Sequence, residues 1–136
     1  MDSRRSVDTK ESTVPHFIID CSESILKSHS EEVIIKQVHN SALSTKLFHK
    51  SDVKVRVIFF KKYSTGEKKE DFIHVFANIM EGRSIEEKAN LSKTIVKDLA
   101  LMFPLVPHIG TNVIEFERAT YFNKNMLDPN YQFSMP

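Results

Sequence analysis

The sequence predicts an α+β fold: a duplicated β-α-β unit forming one mixed sheet, with two helices packed on one face. Three observations carry this. Apolar patterning runs strand, helix, strand and then strand, helix, strand again. The halves also rhyme, PHFIIDCS…SEE beside IHVFANIM…IEE, with His16 matching His74 at a spacing of 58. Finally, two strands that flank a crossover helix lie parallel with a right-handed connection. Both helices on one face leave the other sheet face apolar and in need of a partner, which predicts an oligomer.

The elements follow in order. Residues 1–14, MDSRRSVDTKESTV, are poor in apolar side chains. Such a segment cannot offset its ordering entropy, so it is expected to be a disordered extension to a single domain over 15–136. HFIIDC (16–21) is short, apolar and β-prone, a buried strand. Ser28-x-x-Glu31 suits a capping box, and Val33, Ile34, Val38, Ala42, Leu43 and Leu47 continue a helix over about 29–48. Residues 52–63 alternate, with Val53, Val55, Val57 and Phe59 opposite Lys54, Arg56, Ile58 and Phe60. After a turn at Ser64-Thr65-Gly66-Glu67, the strand Asp71–Met80 is expected to pair with 52–63 as a hairpin. Ser84-x-x-Glu87 is a cleaner capping box, opening a helix with Ile85, Leu91, Ile95, Leu99 and Met102 on its core stripe. Pro104 and Pro107 bar further helix, and Asn112–Arg118 reads as the last strand before a polar tail.

Composition narrows the function classes. The chain has 136 residues, 40% apolar and 27% charged, with a formal net charge of +1. That balance supplies no basic field for nucleic acid and no polybasic membrane patch. No apolar run approaches the roughly 20 residues that span a bilayer, and a cytoplasmic location is expected. The single cysteine, Cys21, sits late in a strand and reads as core rather than nucleophile. The six histidines show no metal-ligand spacing, and no phosphate-binding glycine loop or nucleophile elbow is present. His74, mid-strand, reads as structural.

Two features remain. Pro15-His16-Phe17 opens the first strand, where a proline is also simply well tolerated. Glu81-Gly82-Arg83-Ser84 puts an arginine just before a helix N-terminus, a geometry suited either to a carboxylate or to pairing with Glu86 or Glu87.

Together, PHFIIDCSESI (15–25), Phe72-Ile73-His74-Val75, Gly82-Arg83-Ser84 and Ile114-Glu115-Phe116-Glu117 resemble the 5-carboxymethyl-2-hydroxymuconate isomerases of the tautomerase superfamily. The resemblance runs from Pro15 to about Leu127. It implies a homotrimer of duplicated β-α-β chains. The chemistry it implies is a 1,3-proton shift in an unsaturated keto or enol acid, with no metal or cofactor, as in homoprotocatechuate catabolism. By the same resemblance Pro15 is the general base, acting as a free secondary amine, and Arg83 binds substrate. Lys54 stands where the family has a second arginine, and Arg56 matches a neighbouring basic position. Lysine keeps the charge but loses the bidentate fork, so a different small keto acid is an alternative substrate. Ile73 is the counterpart of Pro15 in the second half, which implies one site per protomer.

As printed, Pro15 follows Val14, and its nitrogen is a tertiary amide with no basicity near neutral pH. The extension is therefore expected to be absent from the working protein. Valine is what an internal GUG start codon would encode, and the purine-only codons of Lys10-Glu11 lie where a ribosome-binding sequence would sit. The opposed expectation is a non-catalytic trimeric binding or scaffold protein with its proline blocked.

Overall fold

The computed structural model describes residues 14–131; of the extension expected over residues 1–14, all but Val14 lies outside the described residues. The order is β1 (His16–Ser22), a 3-10 turn (Glu23–Lys27), α1 (Glu31–Ser44) and β2 (Lys54–Phe60). It continues with β3 (Phe72–Met80), α2 (Ile85–Met102), β4 (His108–Phe116) and a last 3-10 turn (Lys124–Leu127). The duplicated β-α-β unit is thus present.

The described strands form one mixed sheet in the order β2-β1-β3-β4. β1 runs parallel to β2 and β3 parallel to β4, while β1 and β3 are antiparallel at the centre. The hairpin expected between 52–63 and 71–80 is therefore wrong, because β1 lies between those two strands. Closeness in sequence misled there: each crossover returns its strand to an outer edge, and the duplication joins the two inner strands. The repeat spacing of 58 carries Ile18 onto Phe76, and these two are register partners. A local two-fold relation between the halves passes between them.

One core lies between the sheet and both helices. Phe17, Ile19 and Cys21 of β1 and Ile73, Val75, Ala77 and Ile79 of β3 meet Ile34, Val38 and Ala42 of α1 and Leu91, Ile95 and Leu99 of α2. Val53, Val55, Val57 and Phe59 pack on the edge of this cluster, as their alternation predicts. Cys21 is fully buried, and burial pushes its thiol up to about 11, with Asp20 and Glu31 adding to the shift. It is a core residue.

Four local expectations need correction. Helix α1 starts at Glu31, capped by Ser30, whose hydroxyl accepts from Val33 N at 3.3 Å. Ser28 instead closes the preceding 3-10 turn by donating to Ile25 O. The helix ends at Ser44, where Ser44 and Thr45 hydroxyls donate to the carbonyls of Ser41 and Ala42, and Lys46 takes a positive φ of 64°. β4 begins at His108, directly after Pro107, because parallel pairing with β3 from Phe72 onward sets its start. Ile85 is 81% exposed: as the first residue of α2 it precedes the turn that meets the sheet. The capping box at Ser84 and Glu87 forms as expected. No described helix is long and apolar enough to cross a membrane.

Candidate functional site

Parallel pairing brings the starts of β1 and β2 together. Pro15 O accepts from Lys54 N at 3.1 Å, extending the ladder one residue beyond His16. Side chains alternate across the sheet, so His16, Lys54 and Arg56 lie on the open face while Pro15 shares the covered side with Phe17. Pro15 is fully buried. Val14, assigned from sequence to the extension, is buried as well, only 2% exposed.

Arg56 Nη1 lies 3.2 Å from His16 Nδ1, and Lys54 Nζ donates to Asp52 O at 2.9 Å. Burial, and after it the charges of Lys54 and Arg56, hold the His16 imidazole below its ordinary range. On the same face Asp20 is opposite His74, whose Nε2 sits 2.7 Å from Asn112 Oδ1. Burial raises the Asp20 carboxyl, and His74 pulls it the other way. His74 is thereby a structural histidine, though on the open face rather than in the core.

Arg83 sits in the turn between β3 and α2, where Gly82 takes a φ of 120°. Its guanidinium lies 5.6 Å over the Phe48 ring and Nη2 donates to Leu47 O at 2.6 Å, both in the segment that leads into β2. Glu87, one of its expected partners, instead accepts from Ser84 N. Phe48 in turn meets Phe17 edge-on at 5.9 Å. Arg83 is thus linked through two rings to the strand that Pro15 heads. The covered side holds Pro15 and Arg83, and the open side holds Lys54 and Arg56.

Residues that sequence reasoning missed complete this end of the sheet. Phe116 meets His16 edge-on at 6.3 Å, and Tyr121 lies 5.4 Å from Phe116. Arg118, 8% exposed, ties the end of β4 to the end of β3: its backbone N donates to Glu81 Oε2 at 2.7 Å and its Nη2 to Glu81 O at 3.2 Å. Only the motif IEFE gave a hint of Phe116. Among the described residues, no three His, Cys, Asp or Glu side chains converge as a metal site would require.

The 5-carboxymethyl-2-hydroxymuconate isomerase profile matches residues 15–129. The chain belongs to that family. The match opens on Pro15, and membership makes the chain an isomerase-family protein. A search of the curated proteins gives no match. The fold is similar to that of a 5-carboxymethyl-2-hydroxymuconate isomerase from Deinococcus radiodurans R1, at 19% identity and a TM-score of 0.69, covering 84% of this chain and 90% of the other. It is also similar to Pt0534 inactivated by 2-oxo-3-pentynoate, at 14% identity and a TM-score of 0.71, covering 80% and 92%. A fused 4-OT symmetric trimer matches at 16% identity and a TM-score of 0.65, covering 76% and 88%. These likenesses establish the α+β tautomerase fold.

The environment of His16 gives a measurable pH dependence. Its folded pKa lies below the unfolded reference of 6.5, so above 6.5 it leaves stability unaffected. As pH falls through 6.5, the unfolded chain takes up the proton first and the folded state loses stability. Thermal unfolding from pH 7.5 to 5.5 should therefore show a falling midpoint. His16→Gln should flatten that fall, and an unchanged slope in the variant would exclude His16 as its source.

Proposed function

We propose that this chain is a cofactor-free tautomerase that carries out a 1,3-proton shift in an unsaturated keto or enol acid such as 5-carboxymethyl-2-hydroxymuconate. Pro15 is the general base. The observation that carries this reading is that the family match opens on Pro15, the residue that heads β1 beside Lys54. As a free secondary amine, the proline nitrogen takes a proton from one carbon and returns it to another. A free α-amino group titrates in the upper neutral range, and burial disfavours its charged form. Arg83, Lys54 and Arg56 hold the substrate's carboxylate and stabilise the dienolate charge as it develops. Since Arg83 lies on the covered side and Lys54 and Arg56 on the open one, the two sets meet at one substrate by coming from different protomers.

In this reading the working protein begins at Pro15, since the Val14–Pro15 amide removes the base. It is also a homotrimer. Ile58 and Ile114, 48% and 42% exposed on the open sheet face, support assembly, as does the trimer among the similar folds.

2-Oxo-3-pentynoate, the inactivator of Pt0534, tests the base without needing the natural substrate. A secondary amine adds across its conjugated triple bond: a new N–C bond forms and the amine proton moves to carbon. Intact mass of protein beginning at Pro15 should show one adduct, mapped to Pro15, and the chain of residues 1–136 should show none at Pro15. Absence of the adduct from the Pro15-first protein would sink the proline mechanism and favour the binding or scaffold reading.

A further inference from the structure

We propose that a cleft at the far end of the sheet from Pro15 binds a phosphomonoester carrying a flat ring, of the nucleoside monophosphate class. The cleft lies between the 3-10 turn after β1 and the segment after β2, with a volume of about 550 Å³. That is the size of a small-molecule site. Leu26, Phe60 and Tyr63 give it an apolar wall, and Lys27, Lys61 and Lys69 supply cations. β1, seven residues long, puts roughly 20 Å between the cleft and Pro15, so this site is separate from the proline base.

The duplication explains why the cleft is open. The spacing of 58 that relates the halves carries Glu23 onto Glu81, Tyr63 onto Tyr121 and Phe60 onto Arg118. At the Pro15 end Arg118 fills the corresponding place. It is only 8% exposed, its Nη2 donates to Glu81 O at 3.2 Å, and the same atom lies 3.7 Å from where a Cβ on Gly82 would stand. At the far end Phe60 replaces that arginine, the space stays open and the cations stand on its rim.

Three lysines there face one glutamate. Lys61 Nζ is 4.0 Å from Glu23 Oε2, an exposed pair worth little energy that a ligand displaces readily. Lys69 Nζ stands 5.3 Å over the Tyr63 ring, which is itself held edge-on to Phe72 at 4.9 Å. The other acids of this end are engaged: Asp71 accepts from Ser22 and Ser24, and Glu70 meets His108 Nε2 at 2.9 Å. The surplus positive charge matches a phosphomonoester, which carries about −1.5 to −2 near pH 7. Ammonium groups meet phosphate as point charges, whereas a carboxylate is best matched by a guanidinium fork, and no arginine lines this cleft. Phe60 beside Leu26 offers a flat ring a surface to stack on.

Calorimetric titration of the 136-residue chain with AMP should show one site per chain. Lys61→Ala and Lys69→Ala should each weaken AMP binding about 3- to 10-fold. Lys93→Ala, at an exposed position of α2, should leave it unchanged. Phe60→Leu keeps apolar volume and should weaken binding of AMP but not of inorganic phosphate. An equal loss in Lys93→Ala would mean a general surface-charge effect and overturn the site, as would the lack of saturable AMP binding at millimolar concentration. Equal affinity for AMP and phosphate, untouched by Phe60→Leu, would overturn the ring-bearing class.

Discussion

Isomerisation of an enol acid is expected to be about 10²- to 10⁴-fold faster in protein that begins at Pro15 than in the chain of residues 1–136, the range general base catalysis supplies. The reason lies in one bond. An amide nitrogen gives its lone pair to the carbonyl and accepts no proton near neutral pH, whereas a free α-amino group titrates in the upper neutral range. Pro15 is fully buried, and burial disfavours a charged amine. Steady-state rates on the two proteins, with Pro15→Ala in the Pro15-first chain as control, check the expectation. Equal rates with and without residues 1–14, or full activity in Pro15→Ala, would remove proline from the mechanism.

The second large effect concerns the fold. Leu91→Ala should lower the unfolding free energy by about 2–5 kcal/mol, because it removes a fully buried side chain from between α2 and the sheet. Ile85→Ala, on the same helix and on the same stripe as read from sequence, should change it by no more than about 0.5 kcal/mol. Ile85 is 81% exposed. Urea unfolding of both variants separates the two cases, and a loss at Ile85 as large as that at Leu91 would mean that Ile85 is covered in the assembled protein.

Much of the fold was legible because it rests on local rules. Period-two alternation over 53–60 gave the correct faces of β2, and Ser84 with Glu87 gave the start of α2 through a cap that any sequence reader meets within four residues. Misreadings arose where two local signals competed or where pairing was distant. Ser28 and Ser30 both offer a hydroxyl, and only the 3-10 turn ending at Lys27 commits Ser28 elsewhere. Strands 54–60 and 72–80 are neighbours in the chain but not in the sheet.

For the site, sequence offered Pro15, Arg83, Lys54 and Arg56 as candidates through the family resemblance. It could not say that Lys54 and Arg56 face the open side while Pro15 and Arg83 face the covered one. Nor did it draw Phe116 and Tyr121 to His16, about 100 residues away along the chain.

The sequence by itself determined the elements, the duplication and the residue types able to move a proton and hold a carboxylate, since these follow from periodicity, capping and side-chain chemistry. Only the tertiary structure decided which strands meet, which side of the sheet each cation occupies and what stands opposite them. Those depend on β1 pairing with both β2 and β3, contacts whose partners lie about 40 to 60 residues apart. No local pattern encodes them.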